Sequence, residues 1–156
     1  MSVHSNINPW WAAITVWIIV NAVNLLQSAG FLSRIATRSI SINHSLGYVI
    51  IALSIPAAVA LAAFLRAKTD WRQWIGLVVF IAFVILMVCI EYLWPVEFRS
   101  PVRVEILVPY LLLFFGSILL MGLPMFRLNR GLWLVTVATT ILLLISMIVA
   151  MRKGVG

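Results

Sequence analysis

Five long apolar segments, each bounded by charged residues or turn formers, constrain the fold of this chain more than any other feature. They span residues 10–32, 45–65, 71–94, 104–126 and 131–151. A helix needs about 20 apolar residues to cross a bilayer. Lipid cannot hydrogen-bond the backbone, and the alternating runs of about ten residues typical of a membrane β-barrel are absent. The sequence therefore predicts one all-α domain over residues 1–156, an integral membrane bundle of about five transmembrane helices.

Composition excludes a soluble globular domain. Hydrophobic residues make up 64% of the chain and charged residues 10%, where about 45–50% and 25% are usual. The single cysteine, Cys89, excludes an intramolecular disulfide. The net charge of +7 is spread between apolar segments, as expected for residues that meet lipid headgroups rather than nucleic acid. The expected partners are membrane lipids and other membrane protein subunits, or a second copy of the chain.

A polar face runs along the first segment. Its members, spaced alternately four and three residues apart, are Trp10, Ile14, Trp17, Asn21, Asn24, Ser28 and Phe31, and Gln27 lies beside them. Amides inside a membrane need partners, because lipid provides none. Asn21, Asn24 and Gln27 are therefore expected either to hydrogen-bond to another helix or to line a path for a solute.

The other segments carry weaker patterns. The fifth repeats the same spacing with small and hydroxylated residues, which is typical of a packing face: Leu132, Thr136, Thr139, Leu143, Ser146 and Ala150. The second places Ser54, Ala58 and Ala62 four residues apart, which favours close helix approach, and Pro56 is expected to kink it. The third is uniformly bulky and apolar over 77–90, so we expect it to face lipid or a partner.

The junction between the third and fourth segments, residues 91–105, concentrates charge. It holds three of the four acidic residues, two arginines and two prolines that stiffen the backbone. The candidate interface or binding residues here are Glu91, Glu97, Arg99, Arg103 and Glu105. The pairs Glu97/Arg99 and Arg103/Glu105 can bind each other or a partner. Glu91 lies about one turn inside the third helix and has either a structural role or one in proton, ion or substrate binding.

No motif for catalysis, metal binding or phosphate binding is present. The two histidines are His4 and His44. Haem held between two facing histidines needs more than these, so no cofactor is expected, and a single axial ligand at His44 is the remaining alternative.

The connection over residues 33–43 is expected to be the longest loop, lying partly in the membrane interface. Arg34 and Arg38 follow the first segment, and no Lys or Arg precedes it. Because positive flanks stay inside, the amino terminus is expected outside and the carboxyl terminus inside, in a plasma or inner membrane.

Three functions are compatible with these features. The leading hypothesis is a non-catalytic membrane subunit that packs within a larger membrane assembly. The alternative is a small oligomeric transporter or channel whose polar path is lined by the amides of the first segment and Glu91. An intramembrane enzyme or redox carrier is third.

Overall fold

The computed structural model describes residues 9–38, 41–96 and 103–154, and these are helical almost throughout, with no strand among them. The helices are α1 (Trp10–Thr37), α2 (Ser41–Arg66), α3 (Trp71–Met87), α4 (Val104–Gly122), α5 (Met125–Leu128) and α6 (Arg130–Arg152). A π-helical segment, Val88–Leu93, extends α3. Five helical stretches are long and apolar enough to span a membrane, α5 being the end of the fourth. The predicted helical membrane bundle is confirmed.

Local side chains mark where several helices begin and end. Asp70 precedes α3, and its carboxylate accepts a hydrogen bond from the backbone N–H of Arg72 at 3.0 Å. Asn129 does the same for α6, accepting from the N–H of Gly131 at 2.7 Å. Both are favoured residue types for capping, because a helix leaves its first N–H groups without internal partners. Arg38 ends α1 in a left-handed conformation, with φ of 53°.

The predicted loop over residues 33–43 is mostly helical. α1 continues to Thr37, and α2 begins at Ser41. The polar residues that suggested a loop bond back to their own helix: the Ser33 hydroxyl donates to the Gly30 carbonyl at 2.8 Å, and the Thr37 hydroxyl to the Ser33 carbonyl at 2.9 Å. Hydroxyl side chains are tolerated in a helix when they satisfy themselves this way.

α1 is the central helix of the bundle. It packs between α2 and α6 and also touches α4, while α3 packs against α2 and α4. Half of the most apolar window of α1 is buried, against 22% for α2 and α6. The core is aromatic and aliphatic, with Phe64, Phe80, Phe83, Leu77 and Met121 almost fully buried. We call the end at which α1 begins the amino end and the end at which α6 finishes the carboxyl end.

α3 buries one face in the core and leaves its other face exposed, with Ile85 60% exposed. Leu77, Phe80 and Phe83 are completely buried. Gly76 allows α4 to approach closely, since a Cβ at that position would lie 2.6 Å from the backbone nitrogen of Met121. A uniformly apolar segment has no periodic signal, so the sequence did not reveal which of its faces is inside.

α2 makes its close approach with residues other than the predicted series. Ala57 and Ala60 are buried, whereas Ala58 and Ala62 are exposed and Ser54 is half-buried. The Ser54 hydroxyl donates to the Ile51 carbonyl of its own helix at 2.6 Å. The predicted small-residue contact is therefore wrong, because Ala58 and Ala62 lie on the outer surface of α2.

Candidate functional site

The carboxyl end of the bundle holds Glu91 in the π-helical segment. Trp94 N–H donates to the Cys89 carbonyl at 2.9 Å, five residues back, as a π-helix requires. The Tyr110 hydroxyl of α4 donates to Glu91 Oε1 at 3.0 Å. Tyr110 is itself 7% exposed and meets the Phe83 ring edge-on. Because π-helical turns are frequent at functional sites, this local irregularity makes Glu91 the leading candidate residue of α3.

An aromatic cluster lies at the same end and consists of His44 and Tyr48 from α2 with Tyr92 from the π-helical segment. The ring centroids of His44 and Tyr92 are 4.5 Å apart, and those of Tyr48 and Tyr92 are 5.0 Å apart. The Tyr92 hydroxyl donates to the His44 carbonyl at 2.9 Å. A Cβ on Gly47 would overlap that hydroxyl. The cluster therefore joins α2 to α3 at the residue after Glu91.

Arg34 is a residue of this end that the sequence reasoning missed. It is only 6% exposed, and its guanidinium lies 5.6 Å from the centre of the Phe31 ring. In the sequence, Arg34 stands just after the first apolar segment and resembles its flank. Since α1 continues past it, Arg34 stays on the buried face one turn after Gly30. A buried guanidinium is strongly constrained, because charge is expensive to remove from water unless it is paired.

Halfway along the bundle, the polar face of α1 meets the hydroxylated face of α6. Asn21 Nδ2 donates to Thr136 Oγ1 at 3.2 Å and to the Trp17 carbonyl at 2.8 Å. The Thr139 hydroxyl donates back to Asn21 Oδ1 at 2.7 Å. The Trp17 indole N–H reaches across to the Leu132 carbonyl at 2.9 Å. The two faces recognised separately in the sequence are thus in contact.

Asn24 is less completely bonded than Asn21. Its Nδ2 donates to Thr139 Oγ1 at 3.1 Å and to Thr140 Oγ1 at 3.0 Å, but its Oδ1 is buried and receives no hydrogen bond from the described residues. The residue is completely buried. The Thr140 hydroxyl donates instead to the Thr136 carbonyl of its own helix at 2.8 Å. Gln27 is half-buried, and within the described part of the chain its side chain makes no hydrogen bond.

Two of the predicted charged residues, Glu97 and Arg99, lie outside the described residues. Arg103 and Glu105 are exposed at the start of α4 and make no ion pair with each other. The structure brings Glu91 to α4 and the two asparagines to α6. The predicted site residues therefore form two separate groups among the residues described.

The His44 ring packs against Tyr48 and Tyr92. In the ranges that the structure covers, no three His, Cys, Asp or Glu side chains converge on a point that could hold a metal ion. No protein-family model matches the chain, and neither a curated protein nor a solved structure is detectably similar to it.

Proposed function

We propose that this protein is a non-catalytic subunit of a larger membrane assembly and that it binds its partner through the carboxyl end of the bundle. The observation that carries the proposal is that side chains link the helices at this end while charged residues there stay exposed. Tyr110 holds Glu91, and Tyr92 ties α3 to α2, whereas Arg103 and Glu105 remain exposed and unpaired with each other. Trp94, two residues after Tyr92 in the chain, is 68% exposed.

Exposed charges and an exposed tryptophan at this end favour binding of a partner more than they favour stability of the fold. Exposed ion pairs contribute at most about 1 kcal/mol, so charges are not clustered here for the sake of the fold. Trp and Arg are enriched among the residues that dominate binding energy. The partner we propose is a membrane protein that presents an acidic group to Arg103 and a basic group to Glu105.

The test is charge reversal at this end. In the Arg99→Glu/Arg103→Glu variant, we expect the chain to insert and remain helical but to lose its co-purifying partner in mild detergent. Arg152→Glu/Lys153→Glu is the matched control, because it reverses two charges in the exposed last turn of α6 at the same end. Equal retention of the partner by both variants, or purification of the wild-type protein as a lone monomer, would refute the proposal.

The alternative proposal is a small oligomeric transporter. The observation that favours it is the buried Asn24 Oδ1, an acceptor available to a passing solute or water. The other amide and hydroxyl groups of this region already bond to one another across α1 and α6. Solute flux in liposomes that is abolished by Asn24→Leu, in a variant that still assembles, would support transport; unchanged flux or no flux in the wild type would exclude this path.

The orientation that we propose has the amino end outside and the carboxyl end inside a plasma or inner membrane. It rests on Arg34 and Arg38, which follow the first span where no Lys or Arg precedes it.

A further inference from the structure

A partly open cavity of about 520 Å³ lies at the amino end of the bundle, away from the groups described above. It is formed where α3 begins, α4 ends and α5 crosses, with α1 and α2 closing the back through Ala13 and Phe64. Most of its wall is apolar, including Ile75, Leu120, Leu123, Met125 and Leu128. The volume is within the range of about 300–1,000 Å³ that small-molecule sites occupy.

The polar part of the wall is cationic on balance. Arg72 of α3 and Arg127 of α5 both line the cavity, and both are exposed. Asp70 also lines the wall, but its carboxylate is engaged in capping α3 through the backbone of Arg72. Gln73 is the remaining polar member.

The residues around the cavity add to its positive charge. In the described connections at the amino end, one acidic residue, Asp70, is accompanied by five basic residues: Arg66, Lys68, Arg72, Arg127 and Arg130. Trp71, which also lines the cavity, is 57% exposed in the first turn of α3. Exposed tryptophan at the end of a spanning helix is typical of the headgroup level of a bilayer. The cavity therefore joins an apolar interior to a cationic rim at the depth where lipid headgroups lie.

We propose that this cavity binds one anionic lipid, with an acyl chain against Leu120, Leu123 and Met125 and the anionic headgroup between Arg72 and Arg127. Guanidinium groups favour phosphate and carboxylate because they donate paired hydrogen bonds with a matching geometry. An apolar wall favours a ligand with a hydrocarbon body over a free anion. The two features together select an amphiphile with a negative head.

The experiment compares two lipids with identical acyl chains, phosphatidylglycerol and phosphatidylcholine, by native mass spectrometry of the purified full-length chain. We expect the anionic lipid to bind about tenfold more tightly, in line with the attraction of basic side chains for anionic lipid surfaces. Arg72→Gln/Arg127→Gln should remove this preference. Arg152→Gln/Lys153→Gln, which removes two exposed charges from the opposite end of the bundle, should retain it.

Two further measurements distinguish a lipid in the cavity from a lipid on the outside of the bundle and from a free anion. Leu123→Trp, which narrows the cavity from a position that is 63% exposed, should weaken binding of the anionic lipid at least about fivefold, by loss of acyl contact. Glycerol phosphate, a headgroup without chains, should not displace the lipid. Circular dichroism and elution volume show that each variant is folded.

Three results would overturn the proposal. The first is equal loss of preference in the two double variants, which would mean diffuse attraction to the whole basic surface. The second is unchanged binding in Leu123→Trp, which would mean a lipid on the outside of the bundle. The third is displacement by glycerol phosphate, which would mean a free-anion site.

Discussion

Asn21 and Asn24 lie one turn apart on α1 and bond to the same helix, yet their amides are not equally satisfied. Asn21 uses both its donor and its acceptor, whereas Asn24 buries an acceptor without a partner. A hydrogen bond between membrane helices is worth about 0.6 kcal/mol on average, and an unsatisfied buried group subtracts from stability. The two residues are alike in type, helix and shape, so comparing them isolates the hydrogen bonds.

Asn21→Leu is expected to lower the free energy of unfolding by about 1.2 kcal/mol, about 0.6 for each of its two hydrogen bonds to α6, and Asn24→Leu by less, because the second change also removes the orphaned Oδ1. Gln27→Leu is the control, since Gln27 lies on the same helix without a hydrogen bond inside the described part of the chain. The measurement is reversible unfolding in detergent followed by circular dichroism. A larger loss for Asn24→Leu than for Asn21→Leu would show that Asn24 Oδ1 has a donor in solution.

Among the elements, α3 and α4 show how the lack of one Cβ atom, at Gly76, permits a short helix–helix distance. The two helices are closest at Gly76, where a Cβ would lie 2.6 Å from Met121 N and 2.8 Å from the Leu120 carbonyl carbon. These are backbone atoms, which cannot move aside as a flexible side chain would. At Gly116, also between these helices, the nearest atom to a Cβ would be Val79 Cγ1 at 3.9 Å, an ordinary contact.

Gly76→Ala is therefore expected to destabilise the bundle by about 1–3 kcal/mol, as overpacking of a close contact does. Gly116→Ala adds the same methyl group on the facing helix and is expected to be neutral or slightly stabilising, because alanine favours a helix more than glycine does. Thermal unfolding of the two variants in the same detergent makes the comparison. Equal midpoints would contradict the close approach at Gly76.

At the scale of the whole molecule, the five helical stretches long enough to span a membrane place the two ends of the described chain at opposite ends of the bundle. Each end is distinct: the amino end carries the cavity and its basic rim, and the carboxyl end carries the π-helical segment with its aromatic cluster. The proposed partner-binding surface and the proposed lipid site therefore lie at opposite ends of one bundle. The orientation of the chain decides which compartment each end meets.

Orientation can be tested with cysteines that change no charge. In a Cys89→Ala background, Ala67→Cys at the amino end should react with a membrane-impermeant maleimide added to intact cells, and Ala36→Cys at the carboxyl end only after permeabilisation. The reason is the positive flank of Arg34 and Arg38, which favours the inside. The reverse pattern would invert the proposed orientation, and labelling of both positions from one side would contradict a membrane crossing by α2.

From the sequence alone it was possible to predict which polar residues of the candidate site lie in apolar surroundings. Asn21, Asn24 and Glu91 stand out because lipid cannot satisfy them, and each has a described partner across a helix–helix contact. Arg34 was missed because a charge beside an apolar segment usually marks its end. The aromatic cluster was missed because Tyr92 lies 44 residues after Tyr48 along the chain, on a different helix. Spacing along one helix cannot reveal a contact that depends on two.

The sequence by itself determined the helical membrane fold, since length and hydropathy leave a chain with this pattern no other way to satisfy its backbone in lipid. Which helices are neighbours follows from the tertiary structure alone: α6 covers the amides of α1, one face of α3 packs into the core, and a cavity remains between α3 and α4. The physical reason is that most faces of these helices are equally apolar, the α1–α6 contact with its amide and hydroxyl groups being the exception. Elsewhere, helices become neighbours because their surfaces fit together, as at the contact of Gly76 with Met121. Those surfaces exist only once the helices have formed.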